Sequence, residues 1–190
     1  MPDSRRHRGA HPADEELFAA EHAASLRLAV GELSWLLTRG YNETSALKLV
    51  GDRHALTARQ RKAVSRCACS DEQLEGRRER RVPLAGLEGA SLAIDGFNLL
   101  ITLESALSRG LLLHGRDGAW RDLASIHGTY RSVSETDEAL TGLGTLLEQT
   151  GPREVRWLLD RPVSNSGRLR RRIEDLAESR AWPWTVELHD

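Results

Sequence analysis

Two short apolar runs constrain this chain more than any other feature. Ser91-Leu92-Ala93-Ile94 and Val155-Arg156-Trp157-Leu158-Leu159 each end in an aspartate, Asp95 and Asp160, and helical patterns lie between and after them. Such runs have the length of a strand and are too short for a free-standing helix. They read as buried strands of a parallel sheet, because strands alternating with helices need crossover connections. A last strand is expected from Trp184 to Leu188, with a helix from about Arg168 to Arg180 before it.

Ahead of the first strand the pattern is helical. Leu17, Phe18, Leu26, Val30, Leu33 and Leu37 recur near the helical period between Asp14 and Arg39, and Gly40 stands where a C-terminal cap belongs. Asn42 can cap a second helix carrying Ala46, Leu47 and Val50. Thr57 with Gln60, and Ser70 with Gln73, are capping-box signatures for two more. Between the strands, Asn98 can open a helix that Gly110 stops, Gly115 to Gly118 reads as a loop, and Trp120 to Tyr130 reads as helical. Another helix is expected from Ser134, ended by Gly151-Pro152. The organisation expected is a disordered arm over 1–13, a helical module over 14–81, a linker over 82–90 and an α/β domain over 91–190.

With 190 residues, 39% of them hydrophobic, the chain can bury a core. No apolar run has the length that a bilayer demands, and the first residues lack the apolar stretch of a secretory signal, so a cytoplasmic protein without membrane contact is expected. Cys67 and Cys69 lack the spacing of a zinc knuckle or a redox pair and read as reduced thiols at a helix end. The net charge of -1 decides nothing, but its distribution is uneven. Basic residues dominate from Arg53 to Arg81 and again from Arg161 to Arg172, while acids gather in the first helix and between Glu135 and Glu148. The asymmetry suggests a side that faces a polyanion; the plainer alternative is a set of solvated helix faces.

Sites in open α/β sheets form at the carboxyl ends of strands, where Asp95 and Asp160 stand. If their strands are neighbours, the two carboxylates repel unless a cation lies between them, and oxygen ligands suit Mg²⁺ or Mn²⁺. The alternative is that both aspartates cap turns. Glu104, Asp117, Asp122, Glu135 and Asp137 are candidates for a third acidic group, or are surface ion-pair partners. His127 is a candidate acid or base, or a structural histidine, and Arg121, Ser125 and Gly128 share one face of the helix expected there. Small residues and hydroxyls from Pro162 to Gly167 precede an arginine-rich helix, which makes Ser164, Asn165, Ser166 and Arg168 a candidate phosphate seat. Asn98, Arg116, Arg121 and Arg131 are further phosphate candidates. Arg59, Lys62 and Arg66 share one helix face and could touch a nucleic-acid backbone.

Ala46-Leu47-Lys48-Leu49-Val50-Gly51-Asp52-Arg53, with Arg59-Gln60-Arg61 and Cys67-Ala68-Cys69-Ser70, resembles the family called domain of unknown function 434. Ile94-Asp95-Gly96-Phe97-Asn98-Leu99-Leu100, Gly115-Arg116-Asp117-Gly118, His127-Gly128-Thr129-Tyr130-Arg131 and the string from Asp160 to Arg168 resemble the domain that follows it in that family. The likeness runs from about residue 25 to the end. More distantly, Asp-Gly-aromatic-Asn after a first strand is similar to the opening of PIN-like and NYN-type nuclease domains. That likeness implies a three-layer α/β domain with a mostly parallel sheet, in which Asp95 matches the first metal-binding aspartate and Asp160 another acidic position. PIN-like domains add a further strand and helix after the region matching Trp184 to Leu188. Since this chain stops at Asp190, a C-terminally truncated version, or one whose sheet edge another molecule completes, is expected.

The function expected is metal-dependent RNA phosphodiester hydrolysis. Asp95 and Asp160 would hold Mg²⁺ or Mn²⁺ with a third ligand such as Glu135, and Glu104, Asp122 or His127 would assist. A non-catalytic RNA or nucleotide binder, and a protein-interaction module marked by the five tryptophans, are the alternatives.

Overall fold

The structure, a computed structural model, describes residues 7–124 and 129–190. His127, Ser125 and Gly128 lie outside the described residues. In chain order the helices are α1 (Asp14–Leu17), α2 (Ala20–Thr38), α3 (Glu43–Arg53), α4 (Ala58–Cys67), α5 (Asp71–Glu79), α6 (Gly96–Leu107), α7 (Thr136–Thr150) and α8 (Ser166–Arg180). The strands are β1 (Ser91–Asp95), β2 (Leu112–His114), β3 (Trp120–Asp122), β4 (Glu154–Asp160) and β5 (Trp184–His189). A 3₁₀ turn over Leu84–Leu87 lies in the stretch read as a linker. Among the described residues, no helix is long and apolar enough to cross a membrane.

The chain forms two compact units. One holds Ala10–Arg81 and Leu111–Leu123, the other the N-terminal stretch to Gly9 with Val82–Gly110 and Ala124–Asp190. In the first, the expected caps form. Asn42 accepts a hydrogen bond from the Ser45 N–H, and both capping boxes close, Thr57 with Gln60 and Ser70 with Gln73. The single helix expected from Asp14 to Arg39 is two, because Ala19 takes an extended ψ of 156° ahead of α2. Ala29, Leu33, Ala46, Val50, Leu56 and Val64 make its core.

The same unit contains a hairpin where a helix from Trp120 was expected. Strands β2 and β3 pair antiparallel, with His114 opposite Trp120 and Leu112 opposite Asp122. The reason lies in the turn: Gly118 sits at φ +77°, and the Gly115 N–H donates to the Ala119 carbonyl at 2.9 Å. That backbone bond commits the flanks to pairing, and Arg121 therefore lies on a strand.

In the α/β unit three parallel strands lie in the order β1-β4-β5. Ile94 is opposite Trp157, Asp95 opposite Leu158, and Asp160 opposite His189. The strands are buried on one face only. On β4, Val155, Trp157 and Leu159 are buried in alternation with the exposed Glu154, Arg156 and Asp160. Residues from α6, α7 and α8 join the buried set in a single core, with Trp157, Trp182 and Trp184 in ring contact. Each such large side chain contributes about 2 to 3 kcal/mol by leaving water. The other face carries exposed Ala93, Thr185 and Glu187, so among the described residues the helices form one layer rather than two around the sheet. Strands buried on both faces read as continuous apolar runs; the polar alternation here is the physical counterpart of one open face.

Candidate functional site

Parallel pairing of β1 with β4 sets the site. Asp95 is opposite Leu158, so Asp160, two residues further along β4, shares its side of the sheet. The two aspartates therefore end neighbouring strands, and both are exposed. Asp95 also caps α6: it accepts from the Asn98 N–H at 3.3 Å, and the Asn98 amide donates to it at 2.6 Å. Gly96 follows because the helix start lies against β4. A Cβ there would come within 2.6 Å of Leu159 Cδ2 and 3.1 Å of the Leu158 carbonyl. Among the described residues neither carboxylate has a cationic partner.

After Asp160 the chain runs through the loop to α8. Val163 N–H donates to the Asp160 carbonyl at 3.2 Å, and Asn165 takes φ 72° immediately before the helix. Tyr130 N–H donates to the Ser164 carbonyl at 3.1 Å, and the Asn165 amide donates to the Tyr130 carbonyl at 2.8 Å. Ser166 is buried, and its hydroxyl stands 3.4 Å from the Arg161 carbonyl. Arg168 is exposed and makes no side-chain contact among the described residues. Arg131 is exposed, and its carbonyl accepts from Arg8 at 2.7 Å.

Glu104 is placed elsewhere. Nine residues beyond Asp95 along α6, it lies roughly 13 Å down the helix axis and is fully buried. It accepts from the Tyr130 hydroxyl at 2.6 Å, the Thr136 hydroxyl at 2.6 Å and Arg8 Nε at 2.7 Å. Burial, with the Glu104 carboxylate beside it, pushes the Tyr130 hydroxyl well above its usual range. Glu135 is buried close by in sequence, 2.6 Å from His7 Nδ1. Residues His7 and Arg8, in the stretch read as a disordered arm, are thus tied to buried carboxylates. Through Tyr130 the Glu104 cluster also holds Asn165, which makes Glu104 a positioning residue for the loop.

The other candidates belong to the helical unit. Arg59 makes a two-pronged pair with Asp14, one bond being 2.7 Å. Lys62 Nζ donates to the Leu123 carbonyl at 3.2 Å, and burial, with Arg66 close by, lowers its pKa. Arg66 lies 4.0 Å from the buried Asp122. Arg116 donates to the Cys69 carbonyl at 2.8 Å and to Asp71 at 2.5 Å. Arg121 and Arg77 both clamp Asp117, each with a bond of 2.6 Å. Hydrogen bonds from Arg121, working against burial, hold the Asp117 carboxyl far below the usual carboxylate range.

Reading the chain residue by residue missed His189 and Glu187. His189 stands opposite Asp160, and its Nε2 is 3.6 Å from Glu187 Oε2. The alternation of Thr185, Glu187 and His189 was the available signal, since every second residue of a strand shares a face. Among the described residues, no three His, Cys, Asp or Glu side chains converge as a ready-made metal cage.

A helical unit and a parallel α/β unit with acidic strand ends define a mixed α/β protein of two parts. The chain belongs to the family described as "Domain of unknown function (DUF5616)", whose model matches residues 84–190, and it carries ahead of that a match over residues 25–80 to "Protein of unknown function (DUF434)". It is similar to "Uncharacterized protein MJ0935" of Methanocaldococcus jannaschii, with 28% identity over 151 residues, covering 80% of this chain and 72% of that protein. No solved structure matches.

Proposed function

We propose that the chain is a metal-dependent ribonuclease of PIN-like kind, acting at the carboxyl ends of β1 and β4. The observation that carries the reading is the pair Asp95 and Asp160, which end neighbouring strands on one face of the sheet, two residues apart in register, and make no ion pair with a basic side chain among the described residues. Two exposed carboxylates suit Mg²⁺ or Mn²⁺ that keeps water and takes substrate oxygens, rather than a cation caged by protein alone. When bound, the cation would polarise a phosphate oxygen and offset the charge that builds up in phosphoryl transfer.

The chain's own residues do the rest. Asn98 orients Asp95 through its amide. Arg168 at the first turn of α8 offers an unpaired guanidinium to a phosphate, and the helix start adds its partial positive charge. The Tyr130–Asn165 bond fixes the loop between them. His189, opposite Asp160 on β5, would be the imidazole available to take a proton from the attacking water. Since Arg59, Lys62 and Arg66 are half-buried and engaged, the RNA contact rests mainly on the α8 side.

A non-catalytic RNA or nucleotide binder at the same strand ends is the second reading, favoured by the lack of three converging ligands among the described residues. Calorimetric Mn²⁺ titration separates the two. The wild type should bind saturably and the Asp95→Asn/Asp160→Asn variant should not, with an unchanged melting temperature, because asparagine caps a helix as well as aspartate. Mn²⁺-dependent cleavage of single-stranded RNA should fall at least about 100-fold in either single variant. Full cleavage activity in Asp95→Asn would sink the nuclease reading, and salt-sensitive RNA binding indifferent to Mn²⁺ would establish the binder.

A further inference from the structure

On the helical unit, α2 presents a stripe that the described residues of that unit leave exposed. Leu28 is 62% exposed and Trp35 54%, with Gly31 between them and Ala24 one turn before Leu28, both also exposed. With Glu21 and Thr38 these residues recur at alternating steps of three and four, the spacing of a coiled-coil seam. The stripe borders a groove of about 1010 Å³ between α2 and α3, where Leu49 is 62% exposed. Isolated exposed apolar residues are ordinary; here Ala24, Leu28, Gly31 and Trp35 follow one another along one face of a helix of 19 residues.

We propose that the occupant is a second copy of this chain, with the two α2 helices antiparallel across a twofold axis near Ala29 and Val30. The ordering of sizes along the seam carries the choice. One set of seam positions holds the large side chains Glu21, Leu28 and Trp35, and the other the small ones, Ala24, Gly31 and Thr38. Antiparallel pairing sets each set against the other: Trp35 lies over Ala24 of the second copy, and Leu28 over Gly31. Every layer then joins a large residue to a small one, so the surfaces interdigitate. Parallel pairing would stack Trp35 on Trp35 and leave a gap at Gly31. A built Cβ on Gly31 meets nothing within 4 Å, so its missing side chain serves no need of its own fold and leaves room for Leu28 of the second copy.

Charge supports the same arrangement. Glu21 ends the seam at one end of α2, and Arg39, five turns further and at the same helical angle, stands just past the other, so antiparallel pairing brings each Glu21 to Thr38 and Arg39 of the other copy. Arg39 already stacks on Trp35, 3.5 Å from the ring centroid, which holds its guanidinium at the seam. The interface is isologous and closes at two copies.

Sedimentation and light scattering on the full chain test the proposal. The wild type should run at twice the 21.2 kDa chain mass. Gly31→Glu should raise the dimer dissociation constant at least about 100-fold, because the added side chain meets Leu28 of the second copy. Its melting temperature extrapolated to the monomer should not fall, because the site is open within the chain and glycine is a poor helix former. Mixing Glu21→Cys with Thr38→Cys chains should give an oxidative cross-link that neither variant forms alone, since Glu21 residues of the two copies lie about 25 Å apart along the seam. A monomeric wild type at 100-fold the concentration used for activity, or a dimer indifferent to Gly31→Glu and Trp35→Ala, would overturn the proposal.

Discussion

The two units deal with their charges in opposite ways. In the helical unit the candidate cations meet partners of their own unit: Arg59 with Asp14, Arg61 with Asp52, Arg116 with Asp71, and Arg77 and Arg121 with Asp117. The α/β unit does this in its interior, where Arg8 meets Glu104, and on its helical layer, where Arg172 meets Asp137. At its strand ends Arg161 meets Asp190, but Asp95 and Asp160, and Arg168 at the start of α8, make no ion pair among the described residues. Charges paired inside a fold are accounted for by folding. Unpaired carboxylates at the carboxyl ends of neighbouring parallel strands are where a search for a ligand starts.

Removing the buried carboxylate of the α/β unit should have the largest effect on stability. Glu104→Ala leaves the Arg8 guanidinium, the Tyr130 hydroxyl and the Thr136 hydroxyl without their acceptor. The expected loss is about 3 to 5 kcal/mol, read from urea unfolding. Arg8→Met with Glu104→Met should cost less than the sum of the two single changes, because neither partner is then left charged in the interior. Full additivity would show that the pair does not exist, and with it would go the assignment of Glu104 to positioning.

Asp117 is the counterpart in the helical unit, and Asp117→Asn should cost about 2 to 4 kcal/mol because two arginines lose their shared acceptor. Its folded pKa is depressed, so the stabilisation is complete above the unfolded value of about 4 and is lost as pH falls towards the folded one. The wild-type melting temperature should therefore drop steeply below about pH 4. Asp117→Asn should start lower and respond less over that window. An equally steep drop in the variant would place the acid sensitivity elsewhere.

How much of this was legible beforehand differs between the units for a physical reason. Helix caps are local: Asn42, Thr57 with Gln60, and Ser70 with Gln73 satisfy backbone groups within four residues, so they could be read directly. Strand ends were legible too, since Asp95 and Asp160 close apolar runs. The hairpin was not, because Trp120 to Asp122 has no strong strand pattern and is held by pairing to Leu112 to His114. Nor were the ion pairs of Arg59, Arg116 and Glu104, whose partners lie more than forty residues away in the chain. A basic stripe at helical spacing looks the same whether it faces a polyanion or its own fold. The difference resides in tertiary contacts that spacing does not encode.

That ambiguity gives a sharper test. Arg59→Ala should lower stability by about 1 to 3 kcal/mol, because the buried Asp14 loses both bonds from Arg59 and keeps that from the His11 N–H. Its effect on RNA affinity should stay within about twofold if its charge serves the fold. A loss of tenfold or more, with stability intact, would move the RNA contact to the helical unit and reverse the comparison.

The smallest expected effect on stability decides the most about the site. Arg168 and Arg172 lie one turn apart on α8 and carry the same charge, but Arg172 makes two bonds of 2.6 Å to Asp137 while Arg168 makes none among the described residues. Arg172→Ala should cost about 1 kcal/mol and leave RNA affinity nearly unchanged. Arg168→Ala should shift stability by less than about 0.5 kcal/mol. It should weaken RNA binding several-fold and reduce the slope of log affinity against log salt by about one, the signature of a single lost phosphate contact. The two substitutions remove identical formal charge from the same helix, so long-range electrostatics cannot separate them. If both weaken binding equally, α8 attracts RNA only as a diffuse positive surface; if Arg168 alone does, the phosphate seat proposed at the start of α8 is a specific one.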